Sequence, residues 1–103
     1  MSVDPALERD TSLAAFSDAF AEGRYFEAHE ILEAYWVSYH GLDRDFFKGL
    51  IQAAVALHHA AAGNTAGARG VAARARGLLD PYAEGHAGAD VASVLALLDA
   101  RVP

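Results

Sequence analysis

The chain contains no cysteine, which excludes disulfides, thiolate metal sites and cysteine nucleophiles. Proline occurs only three times. No long alternating run of β-branched residues is present, so a sheet is not expected. Cations are scarce: eight Lys and Arg stand against fourteen Asp and Glu, a formal net charge of −6. Nonspecific nucleic-acid binding rests on neutralising phosphates, so this balance argues against it. The one local basic cluster, Arg69, Arg74 and Arg76, reads as a solvated helix face. Residues 1–12 lack a cationic start followed by an apolar run, so no secretory signal is visible. No uncharged apolar stretch reaches the roughly 20 residues that span a bilayer. A cytoplasmic protein that binds neither membrane nor nucleic acid is the expectation. No serine sits in a Gly-x-Ser-x-Gly turn, and the segment from Gly63 to Gly70 lacks the Lys-Ser/Thr ending of a phosphate-binding loop.

What the chain does have is alanine, the best helix former, within a composition that is 53% hydrophobic and 21% charged. Such a chain folds rather than staying disordered. Its 103 residues suit one domain with one core. Residues 1–10 read as an N-terminal arm. Thr11 or Ser12 can cap a first helix carrying Leu13, Phe16 and Phe20 on one face, with Gly23 as its stop. A second helix is predicted over about 24–39, ended by Gly41. Asp43 can cap a third, running to about Ala62 and stopped by Gly63. Asn64 or Thr65 caps a fourth, which Asp80-Pro81 ends. After a loop over 80–89, Asp90 caps a fifth with Val91, Val94, Leu95 and Leu98 inward. Short links make successive helices antiparallel neighbours. The expected fold is therefore all-α, a compact antiparallel bundle of about five helices. Gly67, Gly70 and Gly77 inside the fourth helix imply either a very close neighbour or a weak helix.

On the second helix, His29 and Glu33 lie one turn and about 40° apart. Tyr25, Leu32 and Trp36 fall within about 60° of His29, so burial of the pair is expected. A buried carboxylate needs partners. In a structural reading, Glu33 accepts from His29, a tyrosine or an indole and sets how helices dock. In a functional reading, the i, i+4 spacing points two ligands at one ion. His29-Glu30-x-x-Glu33 is a partial match to the zinc protease pattern, with its second histidine missing. On the third helix, Lys48, Gln52, Val55 and His59 form one line amid apolar neighbours. That line is either a solvent edge or, placed opposite His29 and Glu33, one wall of a shared polar pocket. The pocket is the expectation, because a lysine and a glutamine are a thin means of solvating an edge.

The string Phe20-Ala-Glu-Gly-Arg-Tyr-Phe-Glu-Ala-His-Glu-Ile-Leu-Glu-Ala-Tyr-Trp36 is followed by Phe47-Lys-Gly-Leu-Ile-Gln52, His59, Gly63-Asn64 and Gly67-Ala68. Together these resemble the family of domain of unknown function 309, over roughly residues 12–80. The resemblance implies a small helical bundle with a shared pocket, and some members are labelled predicted metal-dependent hydrolases. The matching positions are His29, Glu30, Glu33, Trp36, Gln52 and His59. One expectation is therefore a metal-dependent hydrolase of unknown substrate. His29, Glu33 and His59 would hold a divalent ion such as Zn²⁺, Glu30 or Glu33 would be the general base, and Gln52 would orient substrate or water. The alternative is a non-enzymatic helical binding or scaffolding module with tetratricopeptide-like hairpins. There the His/Glu/Gln/Trp cluster is structural, and the partner is a small molecule, a protein or a second copy in a homodimer.

Overall fold

Asp4 and Pro5 open the first helix. The Asp4 Oδ1 accepts a hydrogen bond from the Ala6 backbone N–H at 2.9 Å, and proline supplies a helical φ where no intrahelical N–H is needed. In the computed structural model, which describes residues 4–103, helix α1 spans Pro5–Ala21. The expected arm is thus helical from Pro5 onward. Thr11 and Ser12 lie inside α1 and cap nothing, because the Asp-Pro start signal precedes them.

Helix α2 spans Tyr25–Trp36, α3 Arg44–Ala61, α4 Thr65–Leu79 and α5 Val91–Arg101, with a 3₁₀ turn at Asp80–Tyr82. Gly23 and Gly63 adopt φ of +78° and +81° just past α1 and α3, the left-handed stop that glycine makes without strain. Helix α2 ends three residues earlier than its sequence suggests. The Trp36 indole N–H donates to the Arg44 carbonyl at 3.2 Å, and Arg44 Nε donates to the Tyr39 carbonyl at 2.8 Å. These two bonds turn the chain back on itself. Asn64 and Asp90 cap α4 and α5 through Gly67 N–H and Ser93 N–H, as expected.

Successive helices α1 to α4 pack as neighbours, and α5 lies on α3 and α4. The order is antiparallel: Trp36 meets Arg44 at one end of the α2–α3 pair, and Phe26 meets His58 at the other. Helix α3 is the central element. It buries Phe46, Phe47, Leu50, Ile51 and Leu57, with Ala53, Ala54 and Ala56 between them. Each large apolar side chain removed from water contributes about 1.5–3 kcal/mol. Among the described residues no polar or charged residue is buried, and no buried side-chain nitrogen or oxygen lacks a partner. No helix among them is long and apolar enough to cross a membrane.

The tightest helix contact falls at Gly49 of α3, not at the glycines of α4. A Cβ on Gly49 would stand 2.7 Å from Leu79 Cγ and Cδ2 and 3.1 Å from Leu78 Cβ. By contrast, a Cβ on Gly70 or Gly77 would meet nothing within 4 Å. Those two glycines therefore loosen α4 without serving its packing. Gly49→Ala is expected to cost about 1–3 kcal/mol, as overpacking does. Gly70→Ala and Gly77→Ala are each expected to add about 0.5–1 kcal/mol. Urea unfolding midpoints of the three variants check both signs.

Candidate functional site

Helix α2 carries His29 on the flank of its buried face and Glu33 further round. The His29 side chain is 17% exposed and that of Glu33 52%. The expected burial of Glu33 is thus corrected: one further turn of 40° carries it from the flank into solvent. His29 Nε2 stands 3.8 Å from Glu33 Oε2, too long for a hydrogen bond. The other ring nitrogen, Nδ1, faces the Phe26 carbonyl, which can only accept, so Nδ1 carries the proton. The Nε2 lone pair of the neutral ring is then directed outward on the Glu33 side.

The line on α3 is an edge of that helix. Lys48 is exposed, and Gln52, Val55 and His59 are half-buried. The ring of His59 is engaged beyond the end of its helix, where Asn64 Nδ2 donates to its Nδ1 at 3.3 Å. The same Asn64 presents Oδ1 to Gly67 N–H at 3.0 Å, which fixes the orientation of its amide. With Nδ1 accepting, the neutral His59 ring carries its proton on Nε2 and has no free lone pair. His58 is the imidazole nearer α2: Phe26 packs against it at 5.2 Å and against His29 at 4.8 Å between ring centroids. Glu30 is exposed and lines a shallow concavity with Phe26 and His58. Among the described residues no three His, Asp or Glu side chains lie close enough to hold a metal ion. The set His29, Glu33 and His59 is therefore not assembled into one site here.

The densest polar cluster lies elsewhere. Asp43, at the start of α3, makes no cap bond with its side chain. Its Oδ2 instead accepts from His86 Nε2 at 2.7 Å, and its Oδ1 accepts from the Tyr39 hydroxyl. The Tyr39 ring folds back over Gly41, where any Cβ would collide with it. Edge-on rings pack against the network. Phe46 meets His86 at 4.7 Å and Tyr82 at 5.3 Å, and Phe47 meets Tyr39 at 5.1 Å. The Tyr39 hydroxyl is pushed up to about 12, first by its bond to the Asp43 carboxylate and then by burial. Burial is the largest influence on Asp43 and opposes ionisation, but the bonds from Tyr39 and His86 together outweigh it and lower its pKa. His86 lies 43 residues from Asp43, so no local spacing announces their pairing. The one sequence signal was an Asp, a Tyr and a His at loop positions.

A third feature is an apolar groove of about 460 Å³ between α1 and α5. Leu50 of α3 lines it, together with Leu13, Phe16 and Phe20 of α1 and Val94 and Leu97 of α5. Its polar lining residues are Ser17, Tyr25, Asp90, Ser93 and Arg101.

Against known proteins, the model of a family described as domain of unknown function (DUF309) matches residues 13–71, more than half of the chain. An uncharacterized protein of Bacillus subtilis (strain 168), YpuF, is 52% identical over 46 residues, 44% of this chain and 26% of that protein. The chain thus matches about a quarter of that relative's length. No solved structure matches. The matched segment holds His29, Glu30, Glu33, Gln52 and His59, whereas His86 and all of α5 lie beyond it.

Two outcomes test this layout. Glu33→Ala is expected to leave stability within about 0.5 kcal/mol of wild type, as a surface change does. Asp43→Asn is expected to cost roughly 1–3 kcal/mol at neutral pH, the worth of hydrogen bonds to a charged group. Because the folded Asp43 pKa is depressed, its stabilisation is present above the ordinary 3.8 and is lost as pH falls below that value. The Tyr39 hydroxyl behaves oppositely: its contribution is full below 10.0 and is lost as pH rises toward about 12. Denaturant titrations from pH 2 upward check the direction at both ends.

Proposed function

Since this chain belongs to the DUF309 family, whose description assigns no activity, we propose that it is a non-enzymatic helical binding module with the α1–α5 groove as its ligand site. The observation that carries this reading is the groove itself. Its volume of about 460 Å³ falls within the range of small-molecule sites. Its walls are mainly aromatic and aliphatic, with Ser17, Tyr25, Asp90, Ser93 and Arg101 as polar groups, the kind of mixture such sites use. Its origin lies in the packing. Helix α1 rests on α2, and α5 rests on α3 and α4, so the two helices flank a groove over the buried Leu50. The half-buried Phe20, Tyr25 and Leu97 keep apolar surface from which a ligand can exclude water.

A metal-dependent hydrolase is the second reading, and the outward Nε2 of His29 favours it. An imidazole whose other nitrogen is tied to a backbone carbonyl has the tautomer and orientation of a metal ligand. Glu33 would supply a second donor. Catalytic zinc ordinarily takes three protein ligands, and His59 does not complete that set with its Nδ1 bound to Asn64. Glu30 and Gln52 keep their expected roles only within this reading.

Two measurements separate the readings. Nile red, a neutral apolar dye, is expected to gain fluorescence with the folded wild type. Ser17→Trp, placed on the groove wall, is expected to abolish that gain without lowering the melting temperature. In parallel, Zn²⁺ or Mn²⁺ is expected to leave the melting temperature of wild type unchanged. A rise that His29→Ala removes would favour the hydrolase, since a ligand that binds only the folded state must stabilise it.

A further inference from the structure

The groove is electrostatically polarised along its length. One end is set by Ala89 and Asp90, beside Leu13 and Ser17 of α1. From there α5 climbs roughly 15 Å at 1.5 Å per residue to Arg101. Phe20, Ala21 and Tyr25 line the groove with it. An anion is thus repelled at the Asp90 end and attracted at the Arg101 end.

Arg101 is free to meet a ligand. Among the described residues it has no ion-pair partner. The carbonyls that end α5 would ordinarily draw a cation to themselves. Here another arginine serves them: Arg76 Nη2 donates to the Leu98 carbonyl at 3.3 Å and to the Val102 carbonyl at 2.7 Å. Arg76 also pairs with Asp99 at 3.1 Å. Glu22, next to the groove-lining Ala21, is held by Arg24 at 2.8 Å. At the other end, both Asp90 oxygens are bound by Ser93, through its N–H at 3.1 Å and its hydroxyl at 2.6 Å. That carboxylate stays charged and in place. The chain's net charge of −6 opposes anions in general. Charges more than about 8–10 Å apart are largely screened at physiological salt, so the local guanidinium decides.

We propose that the groove takes an elongated apolar molecule with a single anionic head, of the long-chain carboxylate class. Its tail runs over Leu50 toward Ala89, and its head meets the Arg101 guanidinium. Arginine suits this role because its planar fork receives both carboxylate oxygens. The inference rests on the reading of the groove as a ligand site and adds the polarity and direction of the ligand.

The test compares three probes that share one tail, each kept below its micelle concentration. Dodecanoate, dodecanol and dodecyltrimethylammonium are titrated calorimetrically into the full chain. Wild type is expected to bind dodecanoate roughly tenfold more tightly than dodecanol, the scale of one charge-assisted bidentate contact. The ammonium probe is expected to bind most weakly. Arg101→Gln removes the preference, and Arg101→Lys keeps part of it. Equal affinity for dodecanoate and dodecanol in wild type, or a preference that survives in Arg101→Gln, overturns this inference and leaves the groove reading standing. Failure of all three probes to bind, or binding untouched by Ser17→Trp, overturns the groove reading together with it. Arg101 is exposed at the end of its helix, so its variants are expected to keep the wild-type circular dichroism.

Discussion

The contact between α3 and α4 at Gly49 governs the rest of the molecule. With no side chain there, the Leu79 and Leu78 side chains at the end of α4 come within the space that a Cβ would occupy. Helix α3 is thereby sealed on one side by α4 and on the other by α2. What remains on α3 is an edge, and every large apolar residue off that edge is buried. An interior built in this way has no room for ionised groups, which would each need a partner and a full set of hydrogen bonds. Polar chemistry is therefore displaced to the ends and edges of the bundle.

That displacement has two outcomes. At the α2–α3 corner, a carboxylate, a phenol and an imidazole form a connected network laid on a floor of aromatic rings. It ties residue 86 of the 80–90 loop to the start of α3 across 43 positions of sequence. The loop so anchored sets where α5 begins. Helix α5 then lies across α3 and α4 and leaves an open apolar channel beside α1. The groove and the polar network are thus linked, since the network holds the loop from which one groove wall starts.

Much of this was readable from residues alone. The helix stops at Gly23 and Gly63 and the caps at Asn64 and Asp90 are local signals, and each falls where its chemistry places it. The Asp4-Pro5 start is equally local and outranks Thr11 and Ser12. The 3.6-residue repeat also marks α3 as central, because its apolar residues occupy nearly the whole circumference. Periodicity failed at Glu33. Projection around an axis gives the angle between two residues but not where the neighbouring helices sit, and a modest rotation separates a buried flank from water. Asp43 was legible as a helix-starting residue, yet its carboxylate turned to Tyr39 and His86, partners that helix-cap statistics do not contain.

Residue order alone sets the all-α class, the number of helices, their near-neighbour antiparallel order and the identity of the central one. Each of these follows from interactions within a few residues of one another: caps, turns and the 3.6-residue repeat. Tertiary structure alone decided which polar groups meet, which glycine is in close contact and where the surface stays open. Those depend on the rotation and spacing of whole helices, set by many side chains packing at once. Hence His29 and Glu33 share a helix turn without sharing burial, and Arg76 occupies the end of α5 so that Arg101 need not.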